Sequence, residues 1–300
     1  MTSSSTRTDT DRAARLFHRR MLMASGDRLG IVHVMKTAGT SLRSLLSEYG
    51  HTYVGPRYLD MRPDFDISDW QTPAREMVMS PEDLADIFTR MPSAMGHILA
   101  QSYLDAGATH LVLTVREPRA RVISLFRYLQ FAEGATSHTG ATGQAMLTST
   151  DGSLCDFLEL APLRMHTFNS MAQFMLGTRR YPSTESALTA RLKDVLPYVL
   201  AAHWAGDDLA LLTTVREFLR LPDDHFQLQH LNVAQIPTSH TSHLLTVEDL
   251  AMLNEYTALD SWLLEELMVA GVLRRRMPHD LDLEFEHCAR RLGFLLPNHR

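Results

Sequence analysis

A lysine, two threonines, a glycine and a serine interrupt an apolar run at residues 31–42, IVHVMKTAGTSL. An apolar strand that breaks into such a turn, with helix formers from Ser41 to Tyr49 behind it, presents main-chain N–H groups and a cation to a phosphate. A helix beginning near Gly39 would aim its unpaired N–H groups and the positive end of its dipole back at the turn. Lys36 adds a full charge, while Thr37, Thr40 and Ser41 add hydroxyl donors. A second stretch, HLVLTVREPRARVISLFRY at 110–128, has the same layout. Arg116 stands where the run His110–Val115 should emerge into solvent, and Pro118 suits the first position of a helix. Arg121, Ser124 and Tyr128 follow at helical spacing, with Val122, Ile123 and Phe126 free to pack inward. The planar, permanently charged fork of Arg116 suits phosphate oxygens, and Ser124 can converge on the same anion.

These groups need elements that bring strand ends together. The pattern predicts strand 30–35, helix 39–49, a helix opened by Ser80-Pro81 across EDLADIFTRM, strands 93–98 and 110–116, and helix 118–130. Such alternation implies an α/β fold with a mostly parallel central sheet flanked by helices on both faces. Ligands of open α/β sheets lie beyond the C-terminal strand ends, where Lys36, His97 and Arg116 all fall. Residues 132–153, rich in Gly, Ser and Thr, read as a long loop and a candidate lid. The stretch from Leu154 to His203 is helical in pattern, and Leu209 to Leu212 is expected as the last strand. One long helix is expected from Thr246 to Val269, with Glu248 and Asp249 in its first turn. With no repeat or linker in sight, residues 28–300 read as a single domain. The polar residues 1–27 read as a disordered or peripheral segment, within which 12–24 suits a short basic amphipathic helix.

Composition narrows the function classes. A 300-residue chain that is 45% hydrophobic and 21% charged has the make-up of a soluble globular enzyme with a sizeable core. Its net charge of −6 argues against nucleic acid as a partner, while leaving room for a local basic groove. Cys155 and Cys288 are far apart and form no metal-ligand spacing, which fits a reducing compartment. His240 and His243 in PTSHTSH lack a further ligand at fitting spacing, so no metal is expected. No stretch has the length and apolarity of a membrane span, and no signal peptide opens the chain.

Taken together, VHVMKTAGTSL and VREPRARVISLFRY resemble the sulfotransferases that use 3′-phosphoadenosine 5′-phosphosulfate (PAPS). The nearest likeness is to the glycan type, which includes the heparan-sulfate uronosyl 2-O-sulfotransferases and bacterial relatives. Lys36, Thr37, Ala38, Gly39, Thr40 and Ser41 stand on the family's first signature, which holds the 5′-phosphosulfate. Arg116, Pro118, Arg121 and Ser124 stand on the second, whose arginine and serine hold the 3′-phosphate. Met35 replaces the usual proline and Glu117 the usual aspartate. Gly96-His97 matches the family's Gly-His pair, and with HLNVAQ and the closing helix, internal aspartate included, the likeness spans roughly residues 28–270.

The resemblance implies a P-loop-like three-layer sandwich and in-line transfer of a sulfuryl group from PAPS to an acceptor hydroxyl, with 3′-phosphoadenosine 5′-phosphate (PAP) as product and no metal. His97 would be the general base and Lys36 the group that stabilises the leaving oxygen. Positioned proton transfer contributes about 10²–10⁴-fold, and electrostatic stabilisation at least as much. His51 is the next candidate base; His33 reads as structural, and Arg179 and Arg180 as solvated charge. The implied acceptor is a sugar hydroxyl, on a glycan or a small molecule, with a secondary-metabolite hydroxyl as competitor. A homodimer is left open, and an anchorless chain fits a bacterial cytoplasmic enzyme. Two rival readings stand beside it. A P-loop kinase needs glycines before its Lys-Thr, whereas Lys36-Thr37 precedes Gly39, and Arg116 occupies the place of a magnesium-holding aspartate. A nucleotide-binding protein without turnover is disfavoured by the intact Lys36 and His97.

Overall fold

The computed structural model describes residues 23–34, 36–37, 52–53, 81–131, 152–160, 164–177, 185–220 and 243–297. The sheet is built of parallel strands, of which the central three (29–33, 93–96 and 110–115) are buried almost throughout, as parallel strands covered by helices must be. The strands are β1 (Leu29–His33), β2 (Thr52–Tyr53), β3 (Ser93–Gly96), β4 (His110–Val115) and β5 (Val199–Trp204). They pair in the order β2-β3-β1-β4-β5, every pair parallel. Leu29 is level with Ser93 on one side and His110 on the other, and His33 with Thr114.

The helices follow in chain order. They are α1 (Pro81–Arg90), α2 (Ala100–Asp105), α3 (Pro118–Phe131), α4 (Leu154–Glu159), α5 (Arg164–Thr167), α6 (Ser170–Leu176), α7 (Glu185–Val195), α8 (Asp208–Leu219), α9 (Val247–Tyr256), α10 (Ala258–Val269) and α11 (Pro278–Arg291). Alternation along the strands divides the core. Val32, Leu111, Leu113 and Val115 pack with α1, α2, α6, α7 and α10, while Leu29, Ile31, Met95 and Val112 pack with Leu211, Leu212, Val215 and Leu219 of α8. A third cluster joins α3, α4, α9 and α11. The result is an α/β fold with a parallel central sheet flanked by helices, compatible with a three-layer sandwich. Gly30 permits the close approach of α2, since a Cβ there would lie 2.7 Å from Tyr103 Cγ.

The strand order creates a switch point. From β1 the chain passes to β2 at one edge, and from the neighbouring β4 it passes to β5 at the other. Connections that diverge from adjacent parallel strands leave a crevice outside their C-terminal ends. Lys36 and Arg116 are the residues that follow these two strands.

Several expectations require correction. Leu209–Leu212 is not a strand but part of α8, because Leu211, Leu212, Val215 and Leu219 repeat at helical spacing onto the sheet. The last strand of the sheet is β5, which takes up the end of the stretch read as helical; Pro197 ends the preceding helix, and Val199, Ala202 and Trp204 turn inward. The expected helix 246–269 is broken at Thr257 into α9 and α10. The Asn169 side chain takes the N–H groups of Leu259 and Asp260, starting a new helix from a loop far away in sequence. Strands 30–35 and 93–98 end early, at His33 and Gly96, which places Lys36 and His97 in the turns beyond. Helix α11 was not anticipated, although Pro278, Asp280 and the closing Arg290 and Arg291 are ordinary helix punctuation. Helix 39–49, nearly all of segment 1–27 and most of loop 132–153 lie outside the described residues.

Candidate functional site

The turn after β1 is tight. The N–H of Thr37 donates to the carbonyl of Val34 at 3.3 Å, and Lys36 adopts a left-handed backbone with φ of 69°. A lysine held in that region is strained, and such strain persists where the surroundings over-determine it. The overdetermination is visible in Thr37. Its hydroxyl donates to the Val34 carbonyl at 2.7 Å and lies 2.7 Å from Thr114 Oγ1 of β4. Thr37 is therefore buried and acts as a brace between the turn and the next strand, rather than as the open hydroxyl donor expected. Ala38, Gly39, Thr40 and Ser41 lie outside the described residues.

Lys36 and Arg116 meet. Arg116 Nη1 donates to the Lys36 carbonyl at 3.2 Å, and Nη2 donates to Cys288 Sγ of α11 at 3.0 Å. Lys36 Nζ sits 4.2 Å from the centre of the Tyr128 ring. Among the described residues neither cation is paired with a carboxylate. Burial, followed by the charge of Arg116 and opposed by Cys288, lowers the Lys36 ammonium to about 8. Tyr128 lies one helical turn beyond Ser124, so Ser124 shares the face of α3 that meets Lys36.

Neighbouring carboxylates are engaged elsewhere. Glu117, adjacent in sequence to Arg116, accepts from Arg119 Nε at 2.7 Å and from the Ala120 N–H. Arg119 also binds Asp282 of α11 at 2.7 Å and lies over the Phe285 ring. Two cations side by side at the switch point, with the nearby acids diverted, form an electrostatic cradle for an anion.

His97 follows β3, on the other side of β1. Its Nδ1 lies 2.6 Å from the His33 carbonyl, and its ring stacks on His33 at 4.5 Å. A carbonyl can only accept, so Nδ1 carries the hydrogen and the lone pair is on Nε2, the tautomer a base requires. The residue is 7% exposed, with Phe174 of α6 edge-on at 6.4 Å. His166 of α5 is buried nearby, pushed down to about 3 by burial and then by His97 and Arg121.

Arg121, which stands on the second signature without an assigned ligand role, goes to the core. It is fully buried, donates to the carbonyls of His166 at 2.7 Å and Thr167 at 3.4 Å, and faces Asp260 Oδ2 at 3.8 Å. Asp260 Oδ1 in turn accepts the Ala172 N–H at 2.8 Å, tying α10 to the start of α6. Burial shifts both toward neutrality: Asp260 is raised to about 6 and Arg121 lowered. Sequence reasoning gave no role to Thr114, Tyr128, Asn169 or Cys288. Only Tyr128 carried a signal, its spacing from Ser124; Cys288 reaches Arg116 from 172 residues away.

Among the described residues no group of three His, Cys, Asp or Glu is arranged to hold a metal ion, and no helix is long and apolar enough to cross a membrane. Comparison with protein-family models, with curated proteins and with solved structures gave no match.

Proposed function

We propose that this chain is a sulfotransferase with a P-loop-like sandwich, moving the sulfuryl group of PAPS to an acceptor hydroxyl, with a sugar hydroxyl the favoured acceptor. The observation that carries the reading is the juxtaposition of Lys36 and Arg116 at the switch point, two cations that pair with no carboxylate among the described residues. Arg116 keeps three of its five N–H donors for a phosphate after its two protein contacts. In this assignment Arg116 and Ser124 hold the 3′-phosphate of the donor, and Lys36 with Ala38, Gly39, Thr40 and Ser41 holds its 5′-phosphosulfate, while Thr37 braces Lys36 from within.

The chemistry divides among the chain's own groups. His97 Nε2 takes the proton of the acceptor hydroxyl as the oxygen bonds to sulfur. The bond from sulfur to the bridging oxygen breaks, and Lys36 stabilises the charge left on that oxygen, which departs on PAP. A lysine desolvated to about 8 is still largely protonated at pH 7 and concentrates its charge on one partner.

A second reading, a nucleotide-binding protein without turnover, draws on the burial of His97 at 7% exposure. Incubation with ³⁵S-labelled PAPS against a panel of glycans and small alcohols, beside retention on PAP-agarose, separates the two. Retention with label transfer supports the enzyme. Retention with no transfer to any acceptor supports the second reading, and absence of both rejects the site.

A further inference from the structure

Helix α11 lies beyond the stretch that carries the resemblance, yet it provides a direct contact to Arg116. Cys288 is 4% exposed and faces two partners: its sulfur accepts from Arg116 Nη2 at 3.0 Å, and its thiol lies 3.7 Å from the Ala120 carbonyl at the start of α3. One turn and more toward the N-terminus of α11, Phe285 and Asp282 hold Arg119, which in turn pairs with Glu117. The helix thus touches both arginines that flank Glu117.

The choice of sulfur has a consequence. A carboxylate at this point would orient Arg116 equally well but would cancel its charge and compete with any anionic ligand. A thiol is a weak acceptor, and burial pushes its pKa above the ordinary thiol value, which favours the neutral form. We infer that Cys288 is a positioning residue for the anion site: together with the Lys36 carbonyl it fixes the plane of the Arg116 guanidinium while leaving its full charge for the ligand, which makes α11 part of the binding machinery. This rests on the sulfotransferase reading above and extends it to a helix that the sequence motifs do not include.

The test is isothermal titration of the full chain and its variants with PAP, with KM and kcat for PAPS measured alongside. Cys288→Ser keeps a neutral acceptor and is expected to stay within about twofold of the unaltered protein. Cys288→Ala frees one edge of the guanidinium and should weaken PAP binding about fivefold, raising KM for PAPS while kcat holds. Cys288→Asp places an internal competitor beside Arg116 and should weaken binding about thirtyfold or more. Rescue by serine and loss by aspartate, with thermal midpoints that do not track affinity, support the inference. Unaltered protein that binds PAP alongside alanine and aspartate variants that bind it equally well overturns the inference alone. Should the aspartate variant not fold, the alanine and serine pair decides by the same criterion. Unaltered protein that does not bind PAP overturns the sulfotransferase reading and this inference with it.

Discussion

Arg116 and Arg121 come from one short stretch of sequence and do opposite work. Arg121 is sealed in the core, its fork on two α5 carbonyls and facing the carboxylate of Asp260. Arg116 is half-buried at a strand end, and among the described residues its hydrogen bonds go to a carbonyl and a thiol. A fully buried guanidinium must have a counter-charge, because the desolvation of an unpaired ion is prohibitive. One at the surface of a crevice can be left uncompensated, supported by water until an anion arrives. Partner chemistry, not residue type, separates a buried strut from an arginine that is proposed to bind a ligand.

Removing the counter-charge of the strut should have the largest effect. Asp260→Ala leaves Arg121 buried and unpaired and is expected to lower stability by about 3–5 kcal/mol in urea denaturation, with PAP affinity of the folded protein nearly unchanged. Arg116→Ala should invert that pattern: a loss of about 1.5–3 kcal/mol in PAP binding by calorimetry, with little change in urea midpoint. If both variants lose stability and affinity together, the contrast drawn between them is wrong.

The Lys36 ammonium provides a pH test. Its pKa is lowered to about 8 in the folded protein, so the charged form it needs disappears as pH rises through that value. The kcat/KM profile for PAPS should fall on its alkaline side near pH 8, and Lys36→Arg should move that limb beyond the measurable range. The brace beneath it is worth less. Thr37→Val removes the hydroxyl that links Val34 and Thr114 and should cost about 1 kcal/mol of stability. The smallest effect is expected from Tyr128→Leu, which removes the ring under Lys36 and should shift the alkaline limb down by about half a pH unit; an upward shift would show that the ring does not favour the charged form.

Three strands of the sheet were legible because buried parallel strands leave short runs of small and apolar residues, and 29–33, 93–96 and 110–115 overlap the stretches 30–35, 93–98 and 110–116 read that way. The errors have physical causes. The Leu209–Leu212 run is apolar over too few residues to separate strand from helix, and α8 is decided by which leucines meet the sheet. The break at Thr257 depends on Asn169, whose left-handed backbone at φ 45° aims its side chain at a helix about ninety residues on. At the site, Lys36, His97 and Arg116 are legible as residues that follow strands, whereas the spacing that places Thr37 and Arg121 on the two motifs does not reveal that both side chains turn inward.

The order of residues along the chain determined which cations would stand at strand ends, because a polar residue after a buried apolar run can only emerge there. It also determined the alternation of strand and helix that makes a parallel sheet. Which of those cations keeps its charge for a ligand was decided only by tertiary structure, since that depends on partners from distant segments: Cys288 against Arg116, Asp260 against Arg121. The energy of a buried charge is set by what surrounds it in three dimensions, and sequence spacing contains no record of that environment.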